Sequence, residues 1–246
     1  MTIIAHAHNG FTDKFGIPRQ SREDSVIETH IVFTPPFRNP DAIRGIETYS
    51  HLWLIWQFSA NQEAPNDKSQ ITNHKSPIPA LTVRPPRLGG NTRVGVFASR
   101  SPFRPNSLGL TSVRLLRVEA MPDGSRELIV SGADLLDGTP ILDIKPYLAY
   151  SDSHPDATNG FAEPTKDYRL KVVFPENLTN DHRLTTNDQR LTTNDQLQLT
   201  EILSQDPRPA YQHDPDREYK LDYAGWRVTF TVSNDTLLVK NVEKYH

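Results

Sequence analysis

Proline is the feature that most restricts the fold of this chain, since 20 of its 246 residues are proline and 12 are glycine. A proline inside a helix removes a backbone hydrogen bond and clashes with the preceding turn. Prolines spread along the chain therefore disfavour long helices. They favour short strands joined by ordered loops.

The first 150 residues read as mostly β, with several short apolar or alternating segments. His51–Phe58 is a near-continuous apolar run, which predicts a strand buried on both faces, and Pro40–Tyr49 predicts a short helix. Asp137-Gly138, between the predicted strands Arg126–Ala133 and Thr139–Leu148, is a hairpin-turn signal. The predicted strands are Thr2–His8, Ser25–Phe33, His51–Phe58, Arg93–Ala98, Leu110–Val118, Arg126–Ala133 and Thr139–Leu148. So many short strands with little helix between them favour a β-barrel or sandwich over a doubly wound sheet.

The rest of the chain changes character. Ser151–Asn159 is rich in Ser, Asp and Pro and indicates a linker, and Asp195–Gln205 has the i, i+3, i+4 apolar spacing of a helix. Two closing strands are predicted, at Trp226–Val232 and Thr236–Val242. The sequence therefore predicts a mainly β chain, with an N-terminal β-barrel at residues 1–150 and a small α+β C-terminal domain at residues 160–246.

A seven-residue segment occurs twice in succession. Arg183–Gln189 is followed at once by an identical copy, Arg190–Gln196. Repeats that build a fold run to several copies of 20–50 residues, so we interpret this pair as a duplication in an exposed loop, where insertions are tolerated.

Composition and missing motifs exclude several classes of function. The chain has no cysteine, which excludes disulfides, thiolate metal sites and a cysteine nucleophile. It has no run of 18 apolar residues and its first ten residues are polar, so a soluble, cytoplasmic protein is expected. His6 and His8 share a strand face, but nothing nearby completes a ligand set, so no metal is predicted. Glycine-rich dinucleotide and phosphate loops and common hydrolase motifs are absent.

Positive charge is concentrated in one stretch, residues 68–118, which contains two lysines, seven arginines and no acidic residue. Arginine suits bidentate recognition of phosphate or carboxylate. The stretch therefore indicates an anionic ligand or nucleic acid, although a solvated face paired with acids elsewhere explains the charge equally well. Within it, Pro102 and Pro105 stiffen a loop that presents Arg100 and Arg104.

Two further loops have residues suited to binding. Asp134 and Asp137 lie three residues apart, and carboxylates at a strand end can accept hydrogen bonds from ribose hydroxyls, although Asp-Gly more often marks a plain turn. Nearby, Asp143 and Lys145 share a strand face and can pair with each other. In Asp206–Tyr211, two prolines stiffen an arginine and a tyrosine that could stack on a base, or the loop simply ends the helix.

Together these segments resemble the TsaA-like family, tRNA (adenine-37, threonylcarbamoyl-N6) methyltransferases. The likeness covers most of the chain, with several motifs in the same order. It is carried by Lys14–Gln20, Arg44–Glu47, Ser50–Trp53, Val83–Asn91, Gly95–Ser101, Phe103–Asn106, Asp134–Pro140, Asp143–Tyr147 and Gln205–Tyr211.

The resemblance implies an S-adenosylmethionine-dependent methyltransferase that is built on a β-barrel, modifies tRNA and forms a homodimer with the cofactor near the subunit interface. Carried over by position, the cofactor contacts are Pro18, Arg19, Gln20, Ser59, Ala60, Arg100, Leu110, Asp134, Leu135, Leu136 and Asp137. Candidates on the substrate side are Arg104, Asp206, Arg208 and Tyr211. The family often has His-Gln where this chain has Ser59-Ala60.

Two hypotheses follow from these residues. The first is methyl transfer to N6 of threonylcarbamoyladenosine 37, for which the sequence identifies no catalytic base. The second is a non-catalytic barrel that binds RNA or an anionic small molecule through residues 68–118. The carboxylates at 134 and 137 favour the first, because an RNA-binding face gains nothing from them while a ribose-bearing cofactor does.

Overall fold

A computed structural model describes residues 1–58, 81–85, 92–175, 178, 191–209, 212 and 214–245. Six strands form a closed barrel in the order β1-β2-β7-β6-β3-β8. The strands of the barrel are β1 (Ala5–His8), β2 (Glu28–Phe33), β3 (His51–Gln57), β6 (Leu108–Ala120), β7 (Arg126–Ser131) and β8 (Thr139–Pro146). The predicted class, mainly β with an N-terminal barrel, is confirmed.

The barrel is held together by alternation along its strands. Leu52, Leu54 and Trp56 of β3 point into the core, where the two leucines are fully buried. The intervening His51 and Trp53 are only half-buried on the outer face. The prediction that this strand is buried on both faces is therefore wrong, because its outer face is only partly covered and its apolar run includes large side chains that tolerate partial exposure.

The Asp137-Gly138 turn does not form the predicted hairpin. β7 pairs with β2 and β6, whereas β8 pairs with β1 and β3. Gly138 has a φ of 75°, and its N–H donates to the carbonyl of Ala7 at 2.8 Å. Asp-Gly set a left-handed turn as the sequence indicated, but the pairing of the flanking strands was decided by the barrel.

Proline and glycine also shorten the local elements. The helix predicted over 40–49 is two 3₁₀ turns, Pro40–Ile43 and Ile46–Thr48, separated by Gly45 with a φ of 85°. The strand predicted over 93–98 is reduced to β5 (Val94–Gly95), which pairs with β4 (Thr82–Val83) and continues as a 3₁₀ turn.

The C-terminal part has a four-stranded sheet in the order β10-β11-β12-β9, with one longer helix packed on it. A one-turn helix and a 3₁₀ helix, Gly160–Thr165, precede the sheet. The elements are α1 (Ala149–Asp152), β9 (Lys171–Val173), α2 (Thr193–Ser204), β10 (Tyr219–Tyr223), β11 (Trp226–Ser233) and β12 (Thr236–Lys244). The predicted helix and closing hairpin are thus present with slightly different bounds.

The two copies of the heptad have different positions. Residues 183–190 lie outside the described residues, but the second copy begins helix α2. Thr192 caps the helix, since its hydroxyl accepts from the N–H of Asp195 at 3.0 Å and the Asp195 carboxylate accepts in return. The interpretation of both copies as exposed loop is therefore wrong for the second, because its Thr and Asp form a capping box.

Residues 9–27, between β1 and β2, join the two parts of the molecule. Phe11 and Ile27 are almost fully buried, yet they belong to the core of the C-terminal sheet. Phe11 packs on Tyr223 with ring centroids 4.9 Å apart. The N-terminal sequence thus supplies part of the core of the C-terminal sheet. No helix in the described part of the chain has the length and hydropathy needed to span a bilayer.

Candidate functional site

The loop after β7 forms the centre of the candidate site. Asp134 is half-buried, and its Oδ1 accepts a hydrogen bond of 2.7 Å from the hydroxyl of Thr111 on β6. The same hydroxyl accepts from the indole N–H of Trp56 on β3 at 3.0 Å. Two strands of the barrel, β3 and β6, therefore orient one carboxylate through a chain of two hydrogen bonds.

The surroundings of Asp134 have opposing effects on the pKa of its carboxyl group. Burial raises the pKa of the Asp134 carboxyl, while the hydrogen bond from Thr111 and the positive charge of Arg100 act to lower it. A half-buried carboxylate with a fixed orientation is a strong acceptor for hydroxyl or amino groups of a ligand.

Two loops that are far apart in sequence meet beside this carboxylate. Arg100 Nη1 donates to Gln20 Oε1 at 2.5 Å, and the charge of Arg100 is felt at Asp134. Pro18 is buried, and Arg19 is exposed with its Nη2 donating to the carbonyl of Arg208 at 2.9 Å. The structure therefore brings Gln20, Arg100 and Asp134 into one neighbourhood.

Asp137 lies at the other end of the same loop and is exposed. Its Oδ1 contacts His8 Nδ1 at 3.2 Å and accepts from the backbone N–H of Asn9 at 3.1 Å. Between the two aspartates, the side chain of Leu135 is 1% exposed in the barrel core, so only its backbone can meet a ligand. The carbonyl of Leu136 accepts from the Thr139 hydroxyl.

Leu110 is on the outer face of β6, directly before Thr111, and 57% of its surface is exposed. Phe97 and Phe103, from the loop that bears Arg100, are also exposed, at 74% and 48%. Such large apolar side chains in water are a feature of interfaces rather than of free surfaces when they cluster.

Arg104 shapes its own loop. Its Nη1 donates to the carbonyls of Ser99 at 2.6 Å and Val96 at 3.3 Å. These bonds fold residues 96–104 into a compact turn that holds the backbone of Arg100 in place. The contact of Arg104 with substrate remains a prediction, and it would use the nitrogens other than Nη1.

The arginines between residues 68 and 118 have different environments. Arg117 forms ion pairs with Glu28 and Glu119, as the solvated-face interpretation expects. Arg93 donates to the hydroxyl of Thr82. The side chain of Arg114 has no ion pair or hydrogen bond to the residues that the structure describes. Lys68, Lys75 and Arg87 lie outside the described residues.

Asp206 and Arg208 form a bidentate ion pair on the C-terminal part. Arg208 Nε and Nη2 each lie 2.8 Å from an Asp206 oxygen, and Arg208 is 8% exposed. Asp206 has a φ of 50°, and its hydrogen bonds raise the pKa of Arg208. Burial and Asp206 also raise the pKa of Tyr168, whose hydroxyl lies 3.4 Å from that carboxylate. The pair fixes the 206–209 loop, and Nη1 of Arg208 makes no hydrogen bond to the described residues.

Some site residues lie beyond the reach of sequence reasoning or of the structure. Ser59, Ala60 and Tyr211 lie outside the described residues. Thr111 and Trp56 were missed, because a Thr and a Trp within a strand pattern carry no signal that they meet a distant aspartate. Only the three-dimensional pairing of β3, β6 and the 134–137 loop reveals them.

Comparison with known proteins is consistent along the whole chain. Residues 6–153 match the family model of the tRNA-methyltransferase O N-terminal domain, and residues 167–245 match that of the TrmO C-terminal domain. The chain is 37% identical to the tRNA (adenine(37)-N6)-methyltransferase of Escherichia coli K12, over 90% of this chain and 86% of that protein.

Two further comparisons agree. A putative S-adenosylmethionine-dependent methyltransferase of Pseudomonas aeruginosa PAO1, RcsF, is 40% identical over 88% of this chain and 85% of its own. The crystal structure of TrmO from Pseudomonas aeruginosa superimposes with a TM-score of 0.67 and 29% identity, covering 98% of this chain and 99% of that one.

Proposed function

Because the chain belongs to the tRNA-methyltransferase O family, we propose that it is an S-adenosylmethionine-dependent enzyme that methylates N6 of adenosine 37 in tRNA. The acceptor that we propose is the threonylcarbamoyl form of that adenosine. The observation that carries the proposal is that Gln20 and Arg100, which are 80 positions apart in the sequence, lie beside the oriented carboxylate of Asp134, a further 34 positions along the chain.

The donor set fits an S-adenosylmethionine molecule. Asp134 and Asp137 offer carboxylate oxygens to ribose hydroxyls, and the guanidinium of Arg100 suits the α-carboxylate of the methionine part. Gln20 accepts from Arg100 and fixes its direction. When bound, the cofactor supplies a methyl group on a positively charged sulfur, which is transferred by in-line displacement.

The other cofactor positions complete this assignment. Pro18 and Arg19 place the segment that bears Gln20, and Leu135 and Leu136 contribute backbone groups between the two aspartates. Leu110 offers apolar surface beside Thr111. Ser59 and Ala60 are proposed to contact the cofactor through their backbone. For an in-line displacement, positioning of this kind can supply much of the rate.

We assign the acceptor nucleotide to the C-terminal part. Tyr211 follows the loop fixed by Asp206 and Arg208, and an aromatic ring there would stack on a base. Arg208 Nη1 would meet the threonyl carboxylate, and Arg104 a phosphate. In the threonylcarbamoyl form the acceptor nitrogen bears a carbonyl substituent and one remaining proton, and this proton must leave when the methyl group is transferred.

We also propose that the enzyme is a homodimer in the cytoplasm, where its tRNA substrate is found. The exposed Phe97, Phe103 and Leu110 support a second copy near the cofactor, because its surface would cover three apolar side chains that otherwise face water. Sedimentation of the parent and of Phe97→Ser at several concentrations tests this assembly. A monomeric parent would contradict it.

The function is tested by titrating S-adenosylmethionine into the purified protein by calorimetry, and by methylation of threonylcarbamoylated and unmodified tRNA. Binding together with transfer to the carbamoylated tRNA is expected. A protein that binds tRNA but neither binds the cofactor nor transfers a methyl group would instead be the non-catalytic barrel.

A further inference from the structure

A surface groove of about 810 Å³ lies on the barrel next to the candidate site. Its walls are residues 21–23, 48–51 and 147–150, and Ser112 and Arg114 of β6 complete it. Three tyrosines line it, Tyr49, Tyr147 and Tyr150, and we call it the tyrosine groove.

The tyrosines present aromatic surface to solvent. Tyr150 is 89% exposed and Tyr49 is 37% exposed. Tyr147 packs between two other rings, with centroids 6.0 Å from His51 and 5.4 Å from Trp53. Exposed aromatic rings beside a cationic side chain are the platform on which proteins stack the bases of single-stranded nucleic acid.

The wall that carries Tyr150 is anchored to the barrel. Asp152 Oδ2 accepts from the indole N–H of Trp53 at 2.8 Å and from the N–H of Leu148 at 3.0 Å. These bonds hold the pKa of Asp152 below its usual range. The N–H of Tyr147 also donates to the carbonyl of His51 at 3.0 Å. The groove is thus formed before any ligand arrives, which lowers the entropic cost of binding.

The groove has an arginine available for an anion. Arg114 is exposed, and its side chain makes no hydrogen bond or ion pair with the described residues. Arg22, on the opposite wall, is paired with Asp24 at 2.6 Å, and Glu23 is the one acid among the described lining residues. A phosphate beside Arg114 would therefore gain a charge-assisted contact without breaking an existing ion pair.

The groove and the candidate cofactor site are linked by neighbouring residues of the same chain segments. Its first wall residue, Ser21, follows Gln20, which holds Arg100. The backbone of Arg22 lies against Gly132, where an added Cβ would be 2.2 Å from the Arg22 carbonyl oxygen. Gly132 directly follows the end of β7, and Asp134 comes two residues later. The groove wall at Arg22 therefore lies beside the loop that carries the Asp134 carboxylate.

We propose that the tyrosine groove binds unpaired nucleotides next to the methyl-accepting adenosine, with bases stacked on Tyr150 and Tyr49 and a phosphate at Arg114. The inference rests on the proposed function, since it takes the tRNA as substrate. RNA fits better than a protein partner, because the groove combines aromatic rings with an unpaired arginine and contains few aliphatic side chains.

Four variants of the full chain test the groove. Tyr150→Ala removes a stacking ring and Tyr150→Phe retains it. Arg114→Ala removes the phosphate contact, and Arg38→Ala is the control, since Arg38 is an exposed arginine of the same barrel that is paired with Asp123 and does not line the groove. The measurements are tRNA affinity at several salt concentrations, KM and kcat for methylation, cofactor affinity by calorimetry, and sedimentation.

Tyr150→Ala is expected to weaken tRNA binding and raise the KM for tRNA by about fivefold or more, whereas Tyr150→Phe stays near the parent. Arg114→Ala should reduce the slope of log affinity against log salt by about 0.7–0.9, the share of one phosphate. Cofactor affinity and the Arg38→Ala control should not change. This pattern supports the proposal.

Two results would overturn it. One is parent-like tRNA binding in both Tyr150→Ala and Arg114→Ala while the parent methylates tRNA. The other is a change in sedimentation of these variants without RNA, which would make the groove an interface between copies. A parent that fails to bind cofactor or to methylate would refute the proposed function instead, and the binding data would still report on the groove.

Discussion

Replacing Thr111 by Val removes the one hydroxyl that connects Trp56 to Asp134 while keeping the shape of the side chain. Thr111 is 3% exposed, accepts from Trp56 Nε1 at 3.0 Å and donates to Asp134 Oδ1 at 2.7 Å. Thr111→Val therefore leaves a buried indole N–H without its acceptor and a half-buried carboxylate without its donor.

Each loss has a magnitude. An unsatisfied buried donor costs about 1–3 kcal/mol, and a lost hydrogen bond to a charged group costs about 1.5–3 kcal/mol. We expect the free energy of unfolding to fall by about 3 kcal/mol at neutral pH. In a chain of this size, that lowers the thermal midpoint by about 6–12 °C.

The carboxylate part of this loss depends on pH. Burial raises the pKa of Asp134 above its ordinary value of 3.8, so the folded protein keeps this proton over a pH range in which the unfolded chain has lost it. Stability therefore falls as pH rises from 3.8 through the raised pKa. Because Thr111 bonds to the charged form, Thr111→Val raises that pKa further, and the deficit relative to the parent is largest above it.

Thermal unfolding at pH 8 and pH 5, followed by tryptophan fluorescence, measures both parts. Thr111→Ser is the matched control, since it keeps the hydroxyl and loses only a methyl group. The pH profile of cofactor binding should also shift to higher pH in Thr111→Val, because a protonated Asp134 accepts less well from a ribose. Parent-like stability of Thr111→Val at both pH values would refute the hydrogen-bond chain.

Three other changes test the site and the domain packing. Arg100→Ala and Asp137→Ala should each weaken S-adenosylmethionine binding about tenfold or more in calorimetry, and parent-like affinity in both would remove the cofactor assignment. Deleting Arg190–Gln196 leaves an identical heptad that can cap and begin the helix in its place, so the melting temperature should stay within a degree or two, and a large loss would show that the insertion is packed. A chain ending at Tyr150 should fail to fold, because Phe11 and its neighbours lose a core worth about 1.5–3 kcal/mol per side chain, whereas a folded monomer in size-exclusion chromatography would contradict that packing.

The last expectation rests on the way the N-terminal sequence enters the core of the C-terminal sheet. Residues 9–27 include Gln20, and Phe11 and Ile27 anchor this segment in that core. The N–H of Val26 also donates to Glu201 of α2 at 2.7 Å. We therefore expect substitutions in the C-terminal core to shift the position of Gln20, and through it that of Arg100.

The sequence by itself determined the elements that depend on local patterning. Alternation of apolar residues predicted the barrel strands, because the side chains of a strand point to its two faces in turn. Prolines predicted short elements, and the i, i+3, i+4 spacing predicted helix α2. The resemblance also predicted that Gln20, Arg100 and Asp134 contact one cofactor, although no local pattern links positions so far apart.

Only the tertiary structure decided which segments meet. Asp137-Gly138 predicted a turn correctly but its strand partners wrongly, because pairing is chosen by closure of the whole barrel and not by the turn. The pairing of β3 with β6 places Thr111 between Trp56 and Asp134. Phe11 lies between two barrel strands in the sequence, but its side chain packs in the core of the C-terminal sheet. Local propensity depends on near neighbours, whereas burial and hydrogen-bond satisfaction depend on contacts between residues that are distant in the chain.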